Sequence, residues 1–179
     1  MVVDDLDKSE TDAQRFLGGV SDAQANWHPS QTIWSMVQCV DHLARINIAY
    51  AAALLDALQD VRNPTRVRLA PIKPPFFSSL FIRTLEPPPG RKLRSPSKGI
   101  PSPQVGREEV FQAFVHSHDN VRTVIREGAS RDLNRIRFKN PFIEFLRFTV
   151  GAGLLIITTH DRRHLWQAEQ VRKSVGFPV

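Results

Sequence analysis

Cysteine is almost absent from this 179-residue chain: Cys39 stands alone. No intrachain disulfide can form, which fits a reducing compartment. Long apolar runs are missing as well. The most hydrophobic stretch, Val150 to Thr159, falls far short of the roughly 20 residues a membrane span needs. The N-terminus carries Asp4, Asp5 and Asp7 without an apolar run, and is not read as a secretory signal. Together these absences lead to the expectation of a cytoplasmic protein with no membrane partner.

Acidic charge is in the minority: 24 Lys and Arg face 18 Asp and Glu, a net charge of +6. The basic residues are spread through the chain, and only Arg91-Lys92-Leu93-Arg94 through Lys98 is concentrated. No aromatic-rich basic motif accompanies that run, so no nucleic-acid partner is expected. Hydrophobic residues at 41% and charged residues at 23% are ordinary for a soluble globular protein. The length suits one domain, residues 1–179, with a sizeable core.

Proline is scarce except in one place. Ten of the 13 prolines lie between residues 62 and 106, including Pro87-Pro88-Pro89, which rules out a long helix there. Phe76, Phe77, Leu80, Phe81, Ile82 and Leu85 seek burial and argue against a disordered linker. The expectation for 62–106 is an ordered crossover loop with one short helix near Phe76 to Leu85.

Helical periodicity covers most of the remainder. A first helix is expected from Ser9, where Ser9-Glu10-Thr11-Asp12 offers a cap and early negative charge, to Gly18-Gly19. A second spans about Thr32 to Leu58, with Ile33, Val37, Val40, Ala44, Ala51 and Leu55 on one stripe and His42 at its edge. A third covers about Arg107 to Glu127, turning Phe114, His118 and Val121 inward and His116 outward. A fourth runs from about Gly151 to Lys173 with Gly153, Ile157, His160, His164 and Ala168 on its inner face. The predicted fold class is all-α: a four-helix bundle with a long Pro-rich crossover between the second and third helices.

His160 and His164 are four residues apart, so they stack on one helix face about one turn apart and aim two imidazoles at one point. Two buried imidazoles bring polar nitrogens that must be satisfied by carbonyls or, jointly, by a metal ion. A third histidine from another helix would complete a set that holds a metal and leaves a position open. His160-Asp161-x-x-His164 also lies one carboxylate from the H-E-x-x-H of zinc peptidases. Only 15 residues follow His164, too few for the further downstream ligand those enzymes use. Asp161 is therefore expected to face solvent or to support a ligand histidine. Cys39 and His118 are conceivable fourth ligands, but a buried thiol and a satisfied core histidine are the preferred readings. Gln38 and Gln167, one turn from His42 and His164, are placed to orient a bound water or to cap the polar edge.

Trp34-Ser35, then Asp41-His42-Leu43-Ala44, then His160-Asp161-Arg162-Arg163-His164-Leu165-Trp166-Gln167 resemble, in that order, the DinB-like (DinB/YfiT) metal-binding superfamily. The Ser-Asp-Ala-Gln and Trp-His-Pro stretches within 21–29 resemble its lead-in, and the likeness extends from about residue 6 to 173. The resemblance implies a four-helix bundle, often dimeric, with a divalent metal, zinc or nickel, on His42, His160 and His164. It also implies thiol-dependent transfer or isomerisation, or metal-dependent hydrolysis. No catalytic residue is assigned. The expected function is a metal-dependent enzyme activating a low-molecular-weight thiol, or water, toward a small-molecule substrate. The alternative is a non-catalytic metal-binding or assembly bundle.

Overall fold

The computed structural model describes residues 1–60, 70–90 and 95–178. The described chain is predominantly helical, with α1 (Val2–Gly18), α2 (Asp22–Ala25), α3 (Met36–Gln59), α4 (Phe76–Leu85), a 3-10 turn (Ser97–Gly99), α5 (Arg107–Gly128) and α6 (Val150–Arg172). Between α5 and α6 lies a two-stranded antiparallel sheet, β1 (Arg137–Lys139) and β2 (Arg147–Thr149), in the register Arg137↔Thr149, Phe138↔Phe148, Lys139↔Arg147. Its Phe138 and Phe148 are buried while Arg137 and Arg147 face outward. Periodicity did not reveal this sheet, because a three-residue strand offers a single alternation to read.

Capping chemistry explains the helix starts. Ser35 accepts from the Gln38 amide and the Gln38 side chain returns to the Ser35 amide, so α3 begins at Met36 rather than Thr32. Thr149 caps α6 through the Ala152 amide at 3.2 Å. The expected start of α1 at Ser9 is corrected to Val2. Asp4 and Asp5 sit in its first turn, where carboxylates complement the helix dipole, and Ser9 is a buried mid-helix residue. α4 falls where a short helix was expected. Its large apolar residues are not all buried, however: Phe76, Phe77 and Leu80 are exposed, whereas Phe81, Ile82 and Leu85 pack inward. A ten-residue helix lying on α6 has one covered side. Arg91-Lys92-Leu93-Arg94 and the start of the Pro-rich stretch lie outside the described residues.

α3 packs against both α5 and α6, and α1 against α5 and α6. Their apolar side chains form two clusters. One holds Leu6, Tyr50, Leu54, Val121, Phe138 and Ile157; the other holds Phe16, Val40, Leu43, Phe114, Leu165 and Ala168. Every long helix passes from one cluster to the other, α1 and α6 in one direction and α3 and α5 in the reverse. Buried or partly buried polar residues mark the change on each helix. They are Glu10 on α1, His42 and Asn47 on α3, His118 on α5, and His160, Asp161 and His164 on α6. A polar layer thus crosses the interior between two apolar halves.

Candidate metal centre

In that layer α3 and α6 bring His42, His160 and His164 together. Ring centroids lie 4.5 Å apart for His160–His164 and His42–His164, and 5.1 Å apart for His42–His160. One nitrogen from each ring falls within 4.8 Å of the other two, and Nε2 of His42 and Nε2 of His160 are 3.4 Å apart. The i,i+4 spacing supplies two rings from one helix face, and the buried α3 stripe supplies the third. His42 is 3% and His164 8% exposed; His160 keeps partial exposure. The edge position inferred for His42 therefore does not leave it open to solvent.

Hydrogen bonding and burial set the protonation of these rings. Nδ1 of His42 donates to the carbonyl of Gly99. A carbonyl only accepts, so Nδ1 carries the hydrogen and Nε2 presents its lone pair to the other rings. Burial pushes the pKa of His42 down, opposed in part by the Gly99 carbonyl and Asp41. Burial drives His160 and His164 well below the usual imidazole value, reinforced by neighbouring rings and by the Arg163 guanidinium. All three are neutral donors at neutral pH. Among the described residues, Nδ1 of His160 and Nδ1 of His164 are buried without a hydrogen-bond partner, a costly arrangement for polar nitrogen. What fits a divalent cation is the donor set itself: buried, neutral imidazole nitrogens, one from each ring, converging within 4.8 Å.

Two further elements close around the triad. The Trp34 ring lies 4.8 Å from His42 and 5.8 Å from His164, nearly parallel to the latter at 30°. The segment 99–103 lies against α3, with the Ser102 amide donating to Asp41 Oδ2 at 2.8 Å and Arg45 Nη2 donating to Ser102 Oγ at 2.8 Å. Gln38 Nε2 donates to the Ser102 carbonyl at 3.1 Å, so Gln38 caps α3 and anchors this segment. Gln167 stands half-buried on α6, three residues beyond His164. Sequence reading gave Trp34 no place in the site, because it counted Trp34 within a helix from Thr32, whereas α3 begins at Met36 and helical periodicity does not aim a residue ahead of it. The polar stripe Gln38, Asp41, His42, Arg45, at i, i+3, i+4, i+7, was the available sign that this face of α3 meets a polar partner.

The other candidates lie elsewhere. Cys39 is fully buried in the apolar cluster, with its thiol pKa pushed up by burial. His118 donates Nδ1–H to Glu10 Oε1 at 2.9 Å and Nε2–H to Asp161 Oδ2 at 3.2 Å, leaving no ring nitrogen for a metal. Asp161 is fully buried and also accepts from Asn47 at 3.0 Å, which corrects the solvent-facing reading. His116 is exposed on α5.

A predominantly helical domain with three converging imidazoles in a polar layer defines a class of protein able to hold a metal ion on His42, His160 and His164. The chain belongs to the DinB superfamily, a metal-binding family whose sequence model matches residues 5–168. It is similar to "Uncharacterized protein YuaE" of Bacillus subtilis (strain 168), at 24% identity over 162 residues, covering 89% of this chain and 90% of that protein. No solved structure matches the chain significantly.

Proposed function

We propose that this protein is a single-domain four-helix bundle that binds a divalent ion, zinc or nickel, through His42, His160 and His164 as a metal-dependent enzyme. The observation that carries the reading is the convergence of three neutral nitrogens within 4.8 Å, while Cys39 and His118, the candidate fourth ligands, are engaged elsewhere. The shared direction of α3 and α5 between the two clusters supports a bundle with a long return crossover.

An ion held by His42, His160 and His164 would keep its positive charge on three uncharged ligands and would supply Lewis acidity, able to lower the pKa of a thiol or water and to polarise a carbonyl. The chain's own contribution is to hold the rings neutral by burial, to wall two sides with Trp34 and residues 99–103, and to leave approach beside the partly exposed His160. We assign the reaction to activation of a low-molecular-weight thiol, or of water, toward a small electrophile in a reducing, cytoplasmic setting. The working form is a homodimer.

Metal analysis of the purified protein tests the first step, with about one divalent ion per chain expected. Titrating a cobalt-substituted sample with imidazole and with 2-mercaptoethanol should shift its d–d spectrum. An unchanged spectrum at saturation, with a fourth protein side chain on the ion, would favour a structural, non-catalytic centre. A screen pairing small thiols with electrophiles then addresses the reaction.

A further inference from the structure

We propose that Asp41 is a positioning residue. By holding the Ser102 amide it seats the 99–103 strap, whose Gly99 carbonyl sets the tautomer and aim of His42, so that strap docking and metal affinity are coupled. This inference rests on the metal-binding reading above and concerns how that site is controlled.

Several independent features of the strap converge on His42. The Asp41 carboxylate Oδ2 accepts from Arg45 Nε at 3.0 Å as well as from the Ser102 amide at 2.8 Å. Ser102 lies between Pro101 and Pro103, and proline has no amide hydrogen. The Ser102 N–H is therefore the single backbone donor within 101–103, and Asp41 takes it. Gly99 approaches so closely that a Cβ there would sit 2.8 Å from Ile46 Cδ1 and 3.2 Å from His42 Cε1. The backbone is thus pressed onto the imidazole it orients. His160 and His164 have no partner at Nδ1, so His42 is the triad ring, among the described residues, whose aim is set by the backbone of a distant segment.

A carbonyl on the far nitrogen of a ligand histidine fixes its tautomer and raises its basicity, and losing such a partner costs 10–100-fold in metal affinity. Coupling is reciprocal: if a seated strap tightens metal binding, bound metal must hold the strap more tightly by the same factor. Two readouts follow, one on each side of the linkage.

Zinc affinity measured by competition with a chromophoric chelator should weaken by roughly 10–100-fold in Asp41→Ala, with the helical circular dichroism unchanged. Asp41→Asn keeps an oxygen for the Ser102 amide, and Ser102→Ala keeps the amide itself. Both should stay within about threefold of wild type, well short of that loss. In the unmodified protein, zinc should slow amide exchange at Gly99 and Ser102. Affinity of Asp41→Ala within threefold of wild type would overturn the proposal and leave the metal reading standing. So would an Asp41→Asn loss as large as that of Asp41→Ala, which would indicate charge rather than positioning. Exchange at 99–103 indifferent to zinc would overturn it without relying on any variant's folding. A wild-type protein that binds no zinc or nickel would remove both readings.

Discussion

Asp161 accepts a hydrogen bond from Nε2 of His118 at 3.2 Å, with both side chains fully buried. Glu10 holds the opposite nitrogen at 2.9 Å and is itself bound by Arg122 at 2.9 Å, so the array joins α1, α5 and α6. Burial opposes the charged imidazole, but the hydrogen bonds to Asp161 and Glu10 outweigh it and lift the His118 pKa to about 9.

That shift sets a pH dependence. An imidazole that holds its proton more tightly when folded stabilises the fold fully below its unfolded pKa, near 6.5. The contribution is lost as pH rises through about 9. Urea denaturation should therefore show stability falling between neutral and alkaline pH. Asp161→Ala leaves the buried His118 with one carboxylate and should cost about 3–5 kcal/mol at neutral pH. It should also flatten the alkaline decline, whereas a variant that lost stability but kept the slope would place the titration elsewhere.

His160→Ala and His116→Ala separate the site from the surface. The first removes one of three converging nitrogens and should abolish stoichiometric metal by mass spectrometry while circular dichroism stays helical. The second alters an exposed residue and should leave metal content intact and stability within about 0.5 kcal/mol. Metal loss in His116→Ala would contradict the ligand set.

Gly153 lets α6 approach side chains of α3 and β1 closely. A Cβ there would lie 2.7 Å from Leu54 Cδ2 and 2.8 Å from Phe138 Cε1. Gly153→Ala should destabilise by about 1–3 kcal/mol through overpacking, outweighing the helix propensity gained. Unchanged or raised stability in denaturant would mean that the Phe138 ring yields freely.

The long helices and the His160–His164 pair were legible because both rest on periodicity, an i,i+4 pair on an apolar face pointing inward. His42, by contrast, was singled out as their partner by the resemblance in motif order. The sheet was not legible, since in strands of three β1 buries only Phe138 and β2 buries the adjacent Phe148 and Thr149, which leaves no repeated alternation to read. Exposure of Phe76 and Phe77 escaped because composition reports what seeks burial, not how much surface a short helix can cover. Asp161 was misjudged for a related reason. Its partners, His118 and Asn47, lie on other helices, and spacing along α6 cannot reveal them. The same limit hid the Gly99 contact, which joins residues 57 apart in the chain.

Trp34 offers a direct optical report on the centre. Its ring sits 4.8 Å from His42 and 5.8 Å from His164. An open-shell ion such as nickel held on these rings should quench its emission, while Trp27 packs against Phe177 at 5.6 Å, in contact with another part of the chain. Nickel titration should therefore quench part of the tryptophan fluorescence in a saturable way, and Trp34→Phe should remove most of that change. His42→Ala, with Trp34 retained, should remove it too, because the quencher is no longer held. Equal quenching in wild type and both variants would mean that nickel binds away from Trp34 and the triad.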